Sequence, residues 1–365
     1  MKIAVVGGGI IGASAAKYLA ASGHDVTLFA PSEPADKSRH NGVFASHYDA
    51  GRITRHLSPN PIWSELARES IARYRQIEAQ SGIGFFHECG LLVTDAAGTP
   101  FIEAVRQVRD ETGIDAPEMT RSAIRAAYPW LALPDTHIGF FEARGAGYID
   151  PRKFVAAQIA LAAARGAAVI DAAVSDLDML AGFDQILMAQ GGFARMLIPE
   201  LKLRVLARTI AMAEPEDDTL ADMPALIYRD PDGSDPYLVP PTRFPDGKTY
   251  LKIGGEPVDM ELDGRDDLIP WFQGGGSRNV FEFLRRRVQG LFPDMRFRSW
   301  HRAACIVTYS TTGLPYVARI DDRMSVATAG CGSAGKSGDE IGRIAAETVL
   351  GRADERFALD GKEAG

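Results

Sequence analysis

The chain has 365 residues, of which 46% are hydrophobic and 24% charged, and its formal net charge is -8. This apolar content is enough for a large core and excludes a chain that is disordered throughout. The acidic balance excludes a general nucleic-acid binder, which needs a basic surface to displace counterions from phosphates. Three cysteines at irregular spacing predict neither a disulfide framework nor a metal site.

The start of the chain predicts a protein that stays in the cytoplasm. Its first residues enter an apolar run at once, which leaves no room for the charged start and cleavage site of a signal peptide. The longest apolar stretch, residues 154–174, contains charged residues, whereas a membrane span needs about 20 uninterrupted apolar ones. We therefore expect a soluble chain with no membrane partner, and its oligomeric state stays open.

The first 165 residues predict strands and helices, and residues 2–29 predict the opening of a βαβ unit with a parallel sheet, because continuous aliphatic runs are typical of strands buried on both faces. Residues 31–60 are irregular and polar. The predicted strands are Lys2–Val6, His24–Phe29, Phe85–Thr94 and Gly139–Ile149. The predicted helices are Ile10–Ser22, Ile62–Gln80, Phe101–Thr112, Thr120–Ala127 and a helix from Asp150-Pro151 to about Arg165.

The rest of the chain predicts a β-rich middle followed by a return to strand and helix. Pro-Asp-Gly turns separate the strands of residues 203–255. The predicted strands are Ala168–Ser175, Gln185–Ala189, Leu206–Met212, Ala225–Arg229, Tyr237–Val239, Thr249–Gly254, Cys305–Tyr309 and Met324–Ala329, and the predicted helices are Val280–Leu291 and Asp339–Leu350. Because α/β segments flank the β-rich middle, we expect two interleaved domains.

The sharpest local signal is Gly7-Gly8-Gly9-Ile10-Ile11-Gly12, a G-x-G-x-x-G pattern between a predicted strand and a predicted helix. Gly7 permits the tight turn, Gly9 lets the backbone approach a pyrophosphate, and Gly12 lets the helix pack closely on the strand. The free N–H groups at the helix N-terminus favour phosphate there. The pattern therefore predicts a dinucleotide site, with Ile11 among its contacts.

The end of the second predicted strand departs from this pattern. Ala30 occupies the place where an acidic residue normally binds a ribose hydroxyl. Ser32 or Glu33 could replace it, the ribose could be held less tightly, or the cofactor could be a phosphorylated nicotinamide dinucleotide. The residues alone leave these alternatives open.

Short motifs along most of the chain resemble those of the D-amino-acid oxidase superfamily of flavoproteins, and within it the group of monomeric sarcosine oxidase. They occur in the family's order and at similar spacing, with less similarity in the middle third. These motifs are the N-terminal glycines, Ser46-His47 through Arg52-Ile53-Thr54-Arg55-His56, Cys89-Gly90-Leu91-Leu92-Val93, Gly147-Tyr148-Ile149-Asp150-Pro151, Ala189-Gln190-Gly191-Gly192-Phe193, Tyr250-Leu251-Lys252-Ile253-Gly254, Cys305 through Gly313-Leu314-Pro315, and Ala329-Gly330-Cys331-Gly332.

The resemblance implies an α/β fold with FAD as the cofactor. A Rossmann-like FAD-binding domain (residues 1–80, 145–200 and 310–365) would be interleaved with a substrate domain (81–144 and 201–309) built on a large mixed, mainly antiparallel sheet. FAD would be bound by the glycine motif and by residues matched to the family's flavin contacts: Ser46, His47, Arg52, Val174, Gly191, Cys305, Gly332, Gly335 and Lys336.

A covalent link to FAD is a further expectation of the resemblance. Cys305 matches the cysteine that forms a thioether to the flavin in sarcosine oxidase, and Arg302 or His301 could favour its thiolate. Cys331, in the glycine-rich turn, is the competing thiol. A free cysteine is more often a small buried hydrophobe, so this attachment needs independent evidence.

The expected catalytic residues also come from the resemblance. Arg52 and Lys336 would hold the substrate carboxylate and the flavin edge, and Lys252 would promote reaction with O₂. Tyr237 would shape the substrate pocket. Glu256 stands where the relatives have a histidine, so we expect it to recognise the amine.

Together these features predict FAD-dependent oxidation of the C–N bond of a small amino acid or N-alkyl amino acid to an imine, with O₂ as electron acceptor. Three alternatives remain. They are an FAD dehydrogenase with another acceptor, a non-catalytic flavin-bound subunit of a larger amine-oxidising complex, and a nicotinamide-only dehydrogenase.

Overall fold

The computed structural model describes residues 1–230 and 232–359. The described strands are β1 (Lys2–Val6), β2 (Asp25–Phe29), β3 (Arg52–Thr54), β4 (Phe86–His87), β5 (Leu91–Ala96), β6 (Glu118–Met119), β7 (His137–Glu142), β8 (Gly147–Ile149), β9 (Ala168–Ile170), β10 (Gln185–Met188), β11 (Arg204–Pro215), β12 (Ala225–Tyr228), β13 (Tyr237–Arg243), β14 (Thr249–Gly254), β15 (Phe297–Tyr309), β16 (Tyr316–Arg319) and β17 (Met324–Thr328). The described α-helices are α1 (Ile10–Ala21), α2 (Pro61–Ser81), α3 (Pro100–Thr112), α4 (Arg121–Ala127), α5 (Pro151–Ala164), α6 (Gly264–Gln273), α7 (Arg278–Leu291) and α8 (Ala334–Val349).

The first sheet has six strands in the order β16-β17-β10-β1-β2-β9. All its pairs are parallel except β16 with β17. Aliphatic residues of β1 and β2 pack with α1, α2 and α8 in one fully buried cluster. This burial on both faces explains why the strands are continuous apolar runs in the sequence.

Helices α1 and α8 cross at very close range because α8 carries glycines at the contact. A Cβ at Gly338 would lie 2.1 Å from Cγ2 of Ile10, and one at Gly342 would lie 2.4 Å from Cβ of Ser14. Real Cβ contacts are longer than this, so a larger residue would push the helices apart. The close crossing brings the N-termini of both helices to the same end of the first sheet.

The second sheet has eight strands in the order β15-β11-β14-β13-β12-β5-β7-β6. It is antiparallel except where β12 runs parallel to β5. Its apolar face packs against α7. A third sheet, β3-β8-β4, contains the strand that begins at Arg52.

The predicted fold class, an α/β fold with a large, mainly antiparallel mixed sheet, is confirmed. The domain boundaries remain a prediction, although the strands of the six-stranded and eight-stranded sheets fall in the segments assigned to the cofactor and substrate domains respectively. None of the helices in the described ranges is long and apolar enough to cross a membrane.

Several element predictions were wrong in detail. The predicted strands Phe85–Thr94 and Gly139–Ile149 each divide into two strands that belong to different sheets, and α6 was not predicted. The last helix begins at Ala334, five residues before the predicted start at Asp339. Its first turn contains small residues without an apolar period, so periodicity could not detect it.

Candidate functional site

A cavity opens at the carboxyl ends of β1 and β10, between the N-termini of α1 and α8. This is the edge of a parallel sheet at which α/β proteins bind dinucleotides. Its wall includes the glycine turn after β1, the irregular segment 43–48, the segment 172–174 and the turn before α8.

The glycine turn after β1 has the geometry of a phosphate cradle. Gly7 has a φ of 109°, and a Cβ there would lie 2.5 Å from the carbonyl oxygen of Ala189. A Cβ at Gly12 would lie 1.9 Å from the carbonyl oxygen of Gly7, whereas one at Gly9 would meet nothing within 4 Å. Gly9 caps α1 without a side-chain hydrogen bond, so the first N–H groups of the helix face the open space.

The turn before α8 is held in an unusual backbone conformation. Ala329 and Cys331 have φ values of 58° and 45°, in the left-handed region that non-glycine residues rarely adopt. Ser333 precedes α8 without a side-chain capping bond, so the N–H groups of this helix also lack a side-chain cap. Such strain is kept where a ligand needs the backbone close by.

Two buried polar atoms on the cavity wall have no hydrogen-bond partner among the described residues. They are Oε1 of Gln190 and Nδ1 of His47. Burial lowers the pKa of His47 to about 4, so its imidazole is neutral at neutral pH. Because an unpaired buried polar atom costs free energy, both atoms indicate a polar ligand in this cavity.

The ribose end of the cavity differs from the usual pattern, as the sequence indicated. Ala30 packs against the glycine turn. A Cβ added at Gly8 would lie 2.3 Å from the Cβ of Ala30. Ser32 is bound to Asp171, and Glu33 binds Arg152 through two hydrogen bonds of 2.6 and 2.8 Å. Both candidate replacements for the missing carboxylate therefore already have partners within the chain.

A compensated charge cluster lies beside the segment 46–52. Lys252 is fully buried, and its Nζ donates to Oδ2 of Asp49 and to the carbonyl oxygen of Gly51, at 2.5 Å each. The Arg52 guanidinium donates to the same Oδ2 at 3.1 Å and to Sγ of Cys305 at 3.1 Å. Burial opposes charge on Asp49, but the cations Lys252 and Arg52 lower its pKa to about 2.

A second pair of cations lacks such compensation. Lys336 is 1% exposed and lies in the first turn of α8, where the helix dipole disfavours a cation. Its Nζ has no hydrogen-bond partner, and within the described ranges no carboxylate lies within 4 Å of it or of Arg55. Burial lowers the pKa of both side chains, that of Arg55 to about 10, and Arg55 lowers that of Lys336 further.

The nearest compensating charge for these two cations is Glu142, at the end of β7. It raises the pKa of Arg55 and of Lys336 against the effect of burial. Its carboxylate accepts from the backbone N–H groups of His56 and Leu57 and lies 2.7 Å from Nδ1 of His56. Glu142 therefore fixes the chain directly after Arg55.

The comparison with known families identifies the fold and the cofactor. The profile of the family described as "DAO: FAD dependent oxidoreductase" matches residues 2–348. The chain belongs to this FAD dependent oxidoreductase family. FAD is therefore the dinucleotide to which the cavity is fitted, and the nicotinamide alternative is not supported.

Similar proteins of this family are named as oxidases and dehydrogenases. N-methyl-L-tryptophan oxidase of Yersinia pestis (strain Pestoides F) is 21% identical over 304 residues, which are 79% of each chain. A solved variant of NikD, described as an unusual amino acid oxidase, covers 100% of this chain and 98% of its own at a TM-score of 0.80 and 19% identity. L-proline dehydrogenase from P. horikoshii covers 97% and 94% at a TM-score of 0.74 and 15% identity.

Most residues predicted to bind FAD line the cavity between α1 and α8, hereafter the cofactor cavity. They are Gly7, Gly9, Ile11, Ser46, His47, Arg52, Val174, Gly191, Gly332 and Gly335. Gly12, Cys305 and Lys336 do not line it: Gly12 packs against Gly7, and the other two belong to the charge clusters. The roles of all these residues toward FAD, whether or not they line the cavity, remain predictions.

The predicted catalytic residues are placed in different surroundings. The charged groups that act on Lys336 are Arg55 and Glu142. The ring of Tyr237 lies 5.6 Å from Nζ of Lys252. Glu256 accepts from the backbone N–H of Thr209 and forms a 3.5 Å ion pair with Arg208, which is too long to be a hydrogen bond.

Sequence reasoning also missed residues that complete these clusters. Arg52 contacts Cys305, whereas Arg302 donates to the carbonyl oxygen of Gly276 and His301 lies beside Ser299. Glu142 was not singled out. Its only sequence signal is its position at the end of a strand, because its partners are about 85 residues away in the chain.

Proposed function

We propose that this chain oxidises the C–N bond of a small amino acid or N-alkyl amino acid to an imine, with FAD as the electron carrier. The observation that carries the proposal is the pair Arg55 and Lys336. A buried lysine and a partly buried arginine, with no carboxylate of the described residues within 4 Å, suit a ligand that brings its own carboxylate. The oxidases named among the relatives support an amino-acid substrate.

In this proposal the chain holds the substrate rather than performing the redox chemistry. When bound, FAD accepts the two electrons of the C–N oxidation. Arg55 and Lys336 bind the substrate carboxylate through charge-assisted hydrogen bonds, and the α8 backbone before Lys336 lines the cofactor cavity. Tyr237 shapes the pocket, and Glu256 recognises the amine.

The proposed electron acceptor is O₂, with Lys252 as the residue that serves it. A buried cation favours the negative charge that forms when O₂ takes its first electron. A dehydrogenase is the second candidate. The hydrogen bonds of Lys252 go to Asp49 and to the carbonyl oxygen of Gly51, so Asp49 neutralises part of the positive charge that would otherwise act on O₂. If Lys252→Met left both O₂ reactivity and turnover unchanged, the role of Lys252 would be wrong.

We also propose that Cys305 forms the thioether to FAD. The Arg52 guanidinium donates to Sγ of Cys305 at 3.1 Å, so a cation lies directly beside this sulfur. Cys331 lines the cofactor cavity, but burial raises the pKa of its thiol and keeps it protonated. Acid precipitation tests this: the flavin colour should stay in the pellet, and Cys305→Ala should release it to the supernatant whereas Cys331→Ala should not.

Anaerobic reduction of the flavin tests the proposed substrate class. The holoenzyme is mixed with N-methyl amino acids and with the matching N-methyl amines that lack the carboxylate. We expect bleaching of the flavin absorption only with the acids, and Arg55→Met should abolish it while Arg68→Met, an exposed arginine of α2, should not. A flavin that no small amine reduces would favour a non-catalytic subunit.

A further inference from the structure

A second cavity, of about 310 Å³, lies against the cofactor cavity and takes no part in holding the proposed substrate. The two cavities share a wall formed by Phe44, Ala45, Ser46, Tyr48 and Arg52. The second cavity continues along β11 and β15 to the end of α6, and Cys305 lines it. Its volume is at the lower end of the range of small-molecule sites, roughly 300–1,000 Å³.

The second cavity is strongly cationic. Lys37, Arg52, Arg152 and Arg302 line it, whereas Asp49 is its one acidic lining residue in the part of the chain that the structure describes. Asp49 is already bound to Lys252 and Arg52. A cavity lined in this way raises the local concentration of anions.

Two of these cations have bonding capacity left for a ligand. Lys37 and Arg152 share Glu33, but Nη1 of Arg152 is buried without a hydrogen-bond partner. Arg302, an exposed residue at the rim, donates to the carbonyl oxygen of Gly276, and in the described ranges no carboxylate lies within 4 Å of its guanidinium. Guanidinium groups with unused donors bind sulfonate, carboxylate or phosphate oxygens.

The remaining wall is apolar and partly aromatic. Phe44 and Phe272 stack with their rings 4.5 Å apart and nearly parallel, and Ile210, Met212 and Phe244 complete the surface. An apolar wall with a few cations fits a conjugated ring system that carries an anionic group. O₂, which is small and uncharged, needs neither this volume nor these charges. Arg55 and Lys336 do not line the cavity, so it is not the proposed carboxylate site.

We propose that the second cavity binds a planar, anionic electron acceptor of the quinone type, which removes the electrons of amine oxidation from the FAD by a second route beside O₂. This inference rests on the proposed function. Oxidation of the substrate CH–NH to C=N releases two electrons and two protons. The quinone takes up two electrons and two protons to become the hydroquinone, and the FAD returns to its oxidised form.

Binding of 1,4-naphthoquinone-2-sulfonate to the oxidised holoenzyme, measured by calorimetry, tests the site without turnover. We expect the sulfonate to bind at least tenfold more tightly than the neutral 1,4-naphthoquinone. Arg302→Gln should raise the sulfonate Kd about tenfold and leave the neutral quinone unaffected. Met212→Trp should weaken both by filling the cavity. Arg298→Gln, an exposed arginine on the same strand outside the cavity, is the matched control.

Electron transfer is measured separately, on holoenzyme reduced with dithionite. Reoxidation by the sulfonate should slow about tenfold in Arg302→Gln, and reoxidation by O₂ should not change. The inference is overturned if both cavity variants bind the sulfonate as the wild type does, or if the bound sulfonate does not reoxidise the enzyme. Neither measurement uses an amine, so failure of the proposed amine oxidation would leave this test intact.

Discussion

The two lysine–arginine pairs beside the cofactor cavity, each with a buried lysine, differ in one respect, namely whether the chain itself supplies the counter-charge. Lys252 and Arg52 share the carboxylate of Asp49. Lys336 and Arg55 have no carboxylate within 4 Å in the described ranges, and Glu142 acts on them from further away. A compensated pair contributes to the folded structure, whereas an uncompensated pair is kept at a cost until an anionic ligand arrives.

Lys336→Met should have the largest effect on activity and should not lower stability. The variant loses one charge-assisted contact to the substrate carboxylate, so kcat/KM should fall about 1,000-fold, or about 4 kcal/mol. The free energy of unfolding should stay equal or rise, because a buried, unpaired cation leaves the first turn of α8. Steady-state kinetics and urea unfolding at saturating FAD measure the two quantities.

The control for this variant is Lys153→Met, in the first turn of α5, whose side chain is exposed and paired with Asp150. It should change neither kcat/KM nor stability by much. A large loss of stability in Lys336→Met would contradict the view that the chain leaves Lys336 uncompensated, since it would mean that the ammonium group already has a stabilising partner. The pH dependence gives a second check: inhibitory monocarboxylates should dissociate as the pH rises through the lowered pKa of Lys336.

Lys252→Met should show the opposite pattern and lose stability. It leaves Asp49 buried with only Arg52 as a charged partner, so the free energy of unfolding should fall by about 3 kcal/mol, the low end for breaking a buried pair. The double variant with Asp49→Asn should recover part of this loss, because the orphaned charge is removed. Equal urea midpoints for wild type and Lys252→Met would show that the pair does not stabilise the fold.

The sequence predicted the glycine turn of the cofactor cavity better than the charge clusters on the substrate side. The glycine turn is local. Gly7, Gly9 and Gly12 lie within six residues, so their type and spacing alone indicate the turn. The charge clusters are assembled from distant segments. Lys252 meets Asp49 across 203 residues, and Cys305 meets Arg52 across 253, so spacing alone could not pair them.

Two substrate-side assignments show where sequence reasoning reached its limit. The motif containing Arg52 and Arg55 suggested carboxylate binding, but only the packing of α8 against β3 decides which arginine lies beside Lys336. Glu142 belongs to a strand whose neighbours in the chain are unremarkable, and its importance follows from backbone N–H groups that fold onto it. Long-range register, unlike local turn chemistry, is not encoded in a short pattern.

Glu256 and Arg208 form a third pair, in which the positive charge of Arg208 compensates the carboxylate of Glu256 only in part. Burial raises the pKa of Glu256 to about 7, helped by Asp259 and Asp235 and opposed by the Thr209 N–H and by Arg208. The folded chain therefore binds a proton that the unfolded chain has released, and stability falls as the pH rises from about 4.5 to about 7. Glu256→Gln should remove up to about 3 kcal/mol of this dependence.

Urea unfolding of the wild type and Glu256→Gln at pH 5 and pH 8 measures the difference. At pH 5 the two proteins should be close in stability, and at pH 8 the variant should be the more stable one. If the two unfolding curves kept a constant separation at both pH values, Glu256 would be ionised throughout. It would then belong with Asp49 as a compensated carboxylate.

Glu142→Gln should have the smallest of these effects and shows how the remote charge tunes the uncompensated pair. Without the negative charge, Arg55 and burial lower the pKa of Lys336 further, so the pH at which a bound monocarboxylate dissociates should move down by about one unit, or about 1.4 kcal/mol. The change in flavin absorption on adding acetate, followed between pH 6 and pH 10, measures the pH at which the carboxylate dissociates. His56→Ala removes one hydrogen bond to Glu142 but keeps the negative charge of Glu142, so it should leave the dissociation pH unchanged. A shift in His56→Ala equal to that in Glu142→Gln would mean that Glu142 acts by holding the chain after Arg55, and not through its charge.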